Sequence, residues 1–211
     1  METGLSPSDL RFDGGHVALD FVNSLGGLAT VDPRPHDEAL NDYDDLLDWS
    51  RLTGVLADDE TERLARLARR RPGEAAQAFA SALELRALID RVFRPLAGGS
   101  APTERDLDKL RDAASQALDH GRLTRHGNAF RWSWHQAAAL EAPLWPLAYA
   151  AVDLLTSGPL ERLRRCARCR WLFLDESRNR SRRWCSMEQC GTDVKKERYV
   201  ERRRERRRAG S

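Results

Sequence analysis

The 211-residue chain carries 35 Lys and Arg against 33 Asp and Glu, and 41% of its residues are hydrophobic. This length fits one medium-sized domain with a small additional module. A membrane-spanning segment is excluded because the most apolar run, 137–155, contains Glu141, Pro143, Pro146 and Asp153. The chain does not open with a basic region followed by an apolar one, so we expect a cytoplasmic protein.

Charge is divided unevenly along the chain. Residues 160–211 hold 18 Lys and Arg against 8 Asp and Glu, whereas residues 1–159 hold 17 against 25. An acidic body is therefore joined to a basic tail. This asymmetry indicates a polyanionic partner, because Lys and Arg that neutralise phosphates release condensed counterions. The alternative is an arginine-rich tail that is only solvated.

Helical periodicity dominates the acidic body. The first predicted helix, 16–25, follows the Gly14-Gly15 turn, and the second, 42–52, is capped by Asp42. The third is capped by Asp58 or Asp59 and ends before Pro72, and the fourth, 74–96, is ended by Gly98-Gly99. The fifth covers 103–118, with Thr103 and Asp106 as a capping box. After Gly121 the hydrophobic residues alternate on both sides of His126-Gly127-Asn128, which predicts a β-hairpin. A last helix is predicted over 136–157, bent at its prolines, and Gly158-Pro159 marks a boundary.

All four cysteines lie near the C-terminus. They form two pairs, Cys166-x2-Cys169 and Cys185-x4-Cys190, which are separated by fifteen residues. Paired short spacings at this separation suit a tetrahedral metal, since each pair supplies two thiolates to one side of the ion. We therefore predict one zinc ion, which is structural because four sulfur ligands leave no open coordination position. The alternative is two disulfides or free core thiols, but disulfides are rare in cytosolic proteins.

The residues around the cysteines predict a small treble-clef-like finger with a knuckle, a hairpin and a helix that carries the last ligand. Trp171 and Phe173 alternate like strand residues, so both can cover one side of the zinc site. Trp171 and Trp184 are interpreted as a mini-core, with base stacking as the alternative. A module of about 40 residues cannot bury enough surface alone, so metal binding should supply much of its folding energy. The expected fold class is mainly α with a small β-hairpin, as a helical domain over 1–157 and the finger over 160–211.

Two basic segments follow the first cysteine pair. The polar loop 177–183 carries four arginines, and the helix-forming segment 194–208 places Glu197, Glu201 and Glu205 on one face and its basic residues roughly opposite. That segregation favours a surface-binding helix, although Glu–Arg pairs along it would also support any exposed helix. The predicted nucleic-acid contacts are Arg178, Arg180, Arg182, Arg183, Lys195, Arg198, Arg202 and Arg206.

Polar residues on the first helix form a weaker candidate site. His16, Asp20 and Asn23 could line a ligand pocket, or Asp20 and Asn23 could satisfy backbone or partner groups in the body. The five histidines show no metal pairing and no nucleophile partner, and no glycine loop suited to phosphate is present. We therefore do not expect an enzyme.

Several local sequences together resemble a bacterial family. The segment 166–191 closely resembles the CGNR-type zinc finger. The resemblance lies in Cys166-Ala-Arg-Cys169, Trp171-Leu-Phe173-Leu-Asp175, Ser181-Arg-Arg-Trp-Cys185-Ser-Met187 and Cys190-Gly191. The opening Gly14-Gly15-His16-Val-Ala-Leu19-Asp20-Phe21-Val-Asn23-Ser-Leu25 is similar to the start of the ABATE domain that precedes that finger, and Phe93-Arg-Pro-Leu96 and Asp153-Leu-Leu155 match in order. The family is described, by inference, as stress-induced transcriptional regulators. The resemblance implies a DNA-binding finger and a helical domain that receives a signal.

The chain departs from this family at the naming motif, where Thr192 and Asp193 follow Cys190-Gly191 in place of Asn and Arg. Asp offers only acceptors where Arg offers a fork of donors, so a phosphate or base contact of that arginine would be lost. Alternatively, Thr192 or Asp193 caps the helix that follows.

Two functions from different classes therefore remain. The first is a DNA-binding transcriptional regulator with one zinc ion and a small-molecule effector of unknown identity. The alternative is a non-sequence-specific RNA-binding or protein-interaction module, in which the same charge gives general affinity for polyanions.

Overall fold

The computed structural model describes residues 5–26, 38–134 and 139–209. Helices account for most of these residues and two short antiparallel hairpins for the strands, which confirms the predicted fold class. The elements are α1 (Val17–Asn23), α2 (Tyr43–Leu52), α3 (Asp58–Arg70), α4 (Pro72–Ala97), α5 (Glu104–His120), β1 (Arg122–His126), β2 (Ala129–Ser133), α6 (Leu144–Ser157), β3 (Leu163–Arg165), β4 (Leu172–Leu174) and α7 (Thr192–Ala209). None of the helices among these residues is long and apolar enough to cross a membrane.

The helix starts follow from local capping. Asp42 accepts the backbone N–H of Asp45 at 2.9 Å, and Thr103 Oγ1 accepts that of Asp106 at 3.2 Å, so Asp42 and Thr103 are confirmed as cap residues. In place of the reciprocal bond of a capping box, the Asp106 carboxylate accepts the Thr103 hydroxyl at 2.9 Å. The predicted cap of α3 at Asp58 or Asp59 is wrong, because the helix begins one residue earlier. There Ala57 is the cap residue, and the Glu60 carboxylate accepts the Ala57 N–H at 3.0 Å.

Helix α6 begins later than predicted. It starts at Leu144, whereas residues 139–143 form turns closed by the Ala142 N–H to Ala139 and the Leu144 N–H to Glu141. The reason is Pro143, which lacks an N–H and disfavours helical backbone at the residue before it. The first predicted residues of this helix, 136–138, lie outside the described residues.

The core of the body lies between α1, α2, α4 and α6. Phe21, Trp49 and Phe93 are fully buried, and the rings of Phe21 and Trp49 lie 5.2 Å apart. The predicted hairpin is β1–β2, in which Leu123 opposes Trp132. Trp134, just after β2, donates its indole N–H to the Ala117 carbonyl and so ties the hairpin to α5.

The finger rests directly on this core. Its hairpin, β3–β4, pairs Leu163 with Leu174, and both leucines are buried in the same hydrophobic cluster as the helices of the body, together with Leu172. The Leu174 N–H also donates to the carbonyl of Gly14 at 2.9 Å. Hence one face of the finger hairpin is a part of the body's core.

Candidate metal centre and nucleic-acid interface

The four cysteines are brought together by three local structures. The knuckle between β3 and β4 holds Cys166 and Cys169, and the Cys166 N–H donates to the Trp171 carbonyl at 2.9 Å. Cys185 ends the loop that follows β4. Cys190 lies in a π-helical turn, Met187–Gly191, whose first residues are capped by the Ser186 hydroxyl.

The resulting cluster has the dimensions of a tetrahedral zinc site. All four residues are buried, and their Sγ atoms lie within 4.8 Å of one another. Zn–S bonds of about 2.3 Å in a tetrahedron require sulfur atoms about 3.8 Å apart. The Sγ atoms of Cys169 and Cys185 are 3.5 Å apart, and those of Cys185 and Cys190 are 3.7 Å apart. These separations fit zinc and are far longer than a disulfide bond of about 2.05 Å.

The electrostatics of the cluster favour a cation. Hydrogen bonds from Cys169 and Cys185 hold the pKa of the Cys166 thiol well below its usual range. The reciprocal hydrogen bond with Cys166 raises the pKa of Cys169 to about 12, and burial raises that of Cys190. Four thiols this close cannot all ionise by themselves, and a divalent cation is what stabilises them together as thiolates.

The aromatic residues of the finger enclose the site. Trp171 and Phe173 are buried with the four cysteines, and the part-buried Trp184 packs against them. Arg182 lies over the Phe173 ring at 4.7 Å. The geometry therefore agrees with the mini-core interpretation of Trp171 and Trp184.

Asp175 organises the loop that joins the hairpin to the last two ligands. Its carboxylate is fully buried and accepts hydrogen bonds from the N–H and hydroxyl of Ser177 and from the N–H of Arg182, at 2.9, 2.6 and 2.9 Å. Burial by itself would raise the pKa of Asp175, but the hydrogen bonds from Ser177 and Arg182 together outweigh it and hold the pKa below its usual range. The sequence marked Asp175 only as part of a motif, because its partners follow it in an irregular loop.

The four loop arginines differ in their surroundings. Arg182 is part-buried and donates to the carbonyls of Trp184 and Cys185, so its guanidinium is already used within the finger. Arg180 pairs with Glu161 at 3.4 Å. Arg183 is exposed beside the Trp184 ring, and Arg178 is exposed with no ion-pair partner among the described residues.

The helix α7 has a defined orientation on the finger. Arg168, from the knuckle, donates to the Glu197 carboxylate at 2.7 Å, and its Nε lies 3.8 Å from Asp193. Both carboxylates lie on the acidic side of α7, so this side faces the zinc site in the first turns. The described side chains of the predicted basic contacts Lys195, Arg198, Arg202 and Arg206 are all exposed.

The departure from the family motif is explained by the same contact. Neither Thr192 nor Asp193 is an N-terminal cap of α7, because the helical turn already begins after Ser186 and runs on into α7. Instead, Thr192 donates its hydroxyl to the Met187 carbonyl at 3.0 Å, and Asp193 lies beside Arg168. Sequence reasoning missed this role of Arg168, although the i, i+4 spacing of Asp193 and Glu197 was the available signal.

The candidate ligand residues of α1 lie at the junction of body and finger. The Asn23 amide donates to the Leu172 carbonyl at 2.8 Å and accepts the Leu172 N–H at 2.9 Å. Asp20 accepts the Gly14 N–H at 2.9 Å, and His16 accepts the Ala18 N–H as the cap of α1. Each of the three therefore has a partner within the chain, and Asn23 binds the finger backbone directly.

Comparison with known families agrees with this architecture. Residues 15–158 match the ABATE family model, described as "Putative stress-induced transcription regulator", and residues 162–203 match the CGNR zinc finger. A search of the curated proteins found no match. Since the first match alone covers more than half of the chain, the chain belongs to the ABATE family, and its four cysteines form the zinc site of a C-terminal CGNR zinc finger.

Proposed function

We propose that the chain is a DNA-binding transcription regulator whose finger contacts DNA and whose helical body receives a small-molecule signal. The observation that carries the proposal is the orientation of α7. Its acidic side is tied to the zinc knuckle through Arg168, and its basic side is exposed. An exposed row of cations with a defined orientation is suited to phosphates, because each contact releases counterions from the duplex.

The proposed DNA contacts are graded by these surroundings. Arg178 and Arg183 of the loop and the basic residues of α7 are the direct contacts, because their charges face solvent. Arg180 and Arg182 have partners within the finger, so we propose that they act mainly by shaping the loop. The direct contacts on α7 are Lys195, Arg198, Arg202 and Arg206.

Two features of the body support a sensing role. A groove of about 580 Å³ lies between α4, α5 and α6, and its lining combines apolar side chains such as Leu88 and Trp145 with the cations Arg91 and Lys109 and the acids Glu84 and Glu141. Such a mixed pocket is suited to a small molecule with an apolar part and polar groups. The contact of Asn23 with Leu172 offers a route by which a change in the body reaches the finger.

One observation favours the second candidate, a module that binds RNA or other polyanions without sequence preference. Asp193 occupies the position of the family's arginine and lies beside Arg168 instead of offering a donor to a base. On this alternative the finger would retain its electrostatic affinity and lose base-specific discrimination.

The test is binding to an upstream fragment of the protein's own operon and to random DNA of equal length at physiological salt. We expect tighter binding to the operon fragment, and equal affinities that fall together as salt is added would favour the second candidate. Charge reversal at Arg198 and Arg202 should weaken binding and lower the slope of log affinity against log salt, by about 0.9 for each lost contact.

The matched control is charge reversal at Glu201 and Glu205. Both are exposed acids of α7 without a partner among the described side chains, whereas Glu197 is unsuitable because it pairs with Arg168. If both double variants bind DNA as the parent does, α7 is only a solvated helix and the regulator proposal loses its physical support.

A further inference from the structure

Tyr199 is an exposed aromatic residue within the basic side of α7. The residue is 58% exposed, and the guanidinium of Arg203 lies 6.0 Å from its ring centre. A large aromatic side chain in water forgoes the burial that stabilises such residues elsewhere. No described element of the chain covers it, so its ring is available to an external partner.

The positions along α7 define a front and two flanks. In an α-helix with 3.6 residues per turn, Lys195, Tyr199, Arg202 and Arg206 fall on one line, at i, i+4, i+7 and i+11. Arg198 and Arg203 lie about 70° to either side of that line. Asp193 and Glu197 lie opposite, where Arg168 holds them against the finger.

This arrangement fits a groove better than a single phosphate strand. A helix that follows one DNA strand needs only a narrow row of cations for its phosphates. A helix that lies between two DNA strands needs cations on both flanks, and between them side chains that can contact base edges. The described side chains from 195 to 206 are all exposed, so this part of α7 presents its flanks and its front together. The segment is about 17 Å long, and the major groove of B-DNA, about 12 Å wide, admits an α-helix.

We propose, resting on the proposed DNA-binding function, that α7 enters the major groove of duplex DNA with Tyr199 facing the base edges. Arg198 and Arg203 then contact the phosphates of the two opposite strands. The Tyr199 ring packs on the apolar edges of the floor, of which the thymine methyl group is the main one, while Lys195 and Arg206 reach guanine acceptors. This mode of binding does not suit double-stranded RNA, because its major groove is deep and too narrow for side chains to read.

The experiment measures binding of the full-length, zinc-loaded protein to a mixed-sequence 20-bp DNA duplex and to the RNA duplex of the same sequence, at one salt concentration. We expect at least about tenfold tighter binding to DNA, because only its major groove admits the helix. Methyl green, which occupies the major groove, should displace the protein, and distamycin, which occupies the minor groove, should not.

Variants of α7 separate the front from the flanks. Tyr199→Ala should weaken DNA binding by about tenfold without changing the salt dependence, because the lost contact is uncharged. Arg198→Ala and Arg203→Ala should each lower the salt slope by about 0.9. Val200→Ala is the matched control, since Val200 is also exposed, at 45%, but lies outside the proposed face. Circular dichroism and zinc content establish that each variant keeps its helix and its metal.

The inference is overturned if Tyr199→Ala binds DNA as tightly as Val200→Ala, if the RNA duplex binds as well as the DNA duplex, or if distamycin displaces the protein and methyl green does not. Failure of the parent protein to bind any duplex is a different result, because it overturns the proposed DNA-binding function itself.

Discussion

Asp20 is a carboxyl group held in a mostly apolar helix. It is 9% exposed and accepts the Gly14 N–H, and a Cβ atom at Gly14 would lie 2.8 Å from its Oδ1. Burial raises the pKa of Asp20 to about 6, and the nearby Asp13 adds to the rise, while the Gly14 hydrogen bond opposes it. Asp20 therefore orders the turn that contacts the finger, but its charged form is disfavoured there.

We expect Asp20→Asn to stabilise the protein at neutral pH. Because the folded pKa of about 6 lies above the ordinary value, the contribution of Asp20 to stability is fully present below about pH 4 and is lost as the pH rises through about 6. The loss is at most about 3 kcal/mol, from about 1.4 kcal/mol per pKa unit. Asn keeps an acceptor for the Gly14 N–H and has no charge to bury.

Urea denaturation of parent and variant at pH 4.5 and pH 7.5 measures this effect. The variant should gain stability relative to the parent at pH 7.5 and much less at pH 4.5. A difference between the two proteins that does not change with pH would contradict the raised pKa. The sequence indicated that Asp20 either satisfies a partner group or lines a pocket, and only the approach of Gly14 identifies its hydrogen-bond donor.

At the scale of elements, α7 shows what periodicity can predict and what it leaves undetermined. The segregation of acidic and basic residues predicted a helix with two faces, and the structure contains that helix. Which face is turned outward depends on Arg168, a residue of the knuckle that is distant in sequence from Glu197. The i, i+4 spacing of Asp193 and Glu197 indicates a side that can pair with a cation, but no local pattern identifies Arg168 as that cation. The late start of α6 was, in contrast, predictable from Pro143.

Removal of the Arg168 side chain should loosen α7. The Arg168 side chain is 18% exposed and that of Glu197 61%, so the pair is partly screened and should contribute about 0.5–1 kcal/mol. In Arg168→Gln, the backbone amides of the first turns of α7 should exchange with deuterium about two- to fivefold faster. Arg165→Gln is the matched control, because it removes the same charge from an exposed position on the same hairpin. Equal exchange in the two variants would mean that Arg168 does not orient the helix.

At the scale of the whole molecule, the sequence predicted the two modules but not their shared core. Trp171 and Phe173 were predicted to cover one side of the zinc site, and they do so. Leu172 and Leu174 lie on the other face of this strand, and the prediction named nothing for them to pack against. A strand that is apolar on both faces nevertheless indicates burial on both. The structure places these leucines, with Leu163, in the core of the body.

This shared core determines what we expect from removing the finger. We expect the helical body to fold without residues 160–211, but at a cost in stability that the shared core sets. Each buried leucine contributes about 1.5–3 kcal/mol, so a chain ending at Ser157 should lose roughly 5–9 kcal/mol from Leu163, Leu172 and Leu174 together. That loss is comparable with the entire stability of many domains, about 5–15 kcal/mol. We expect the truncated chain to remain helical and to unfold cooperatively at a much lower urea concentration.

Cys185→Ser in the full-length chain is the matched comparison, because it removes a zinc ligand and keeps all three leucines. We expect this variant to lose its zinc and the order of the loop and α7, while the helical body unfolds near the midpoint of the parent. Elemental analysis and urea denaturation followed by circular dichroism measure both effects. If Cys185→Ser destabilises the body as much as the truncation does, the zinc ion itself holds the hairpin in the core. The body and the finger would then be one cooperative unit, and loss of the metal would be transmitted to the body through Asn23 and the three leucines.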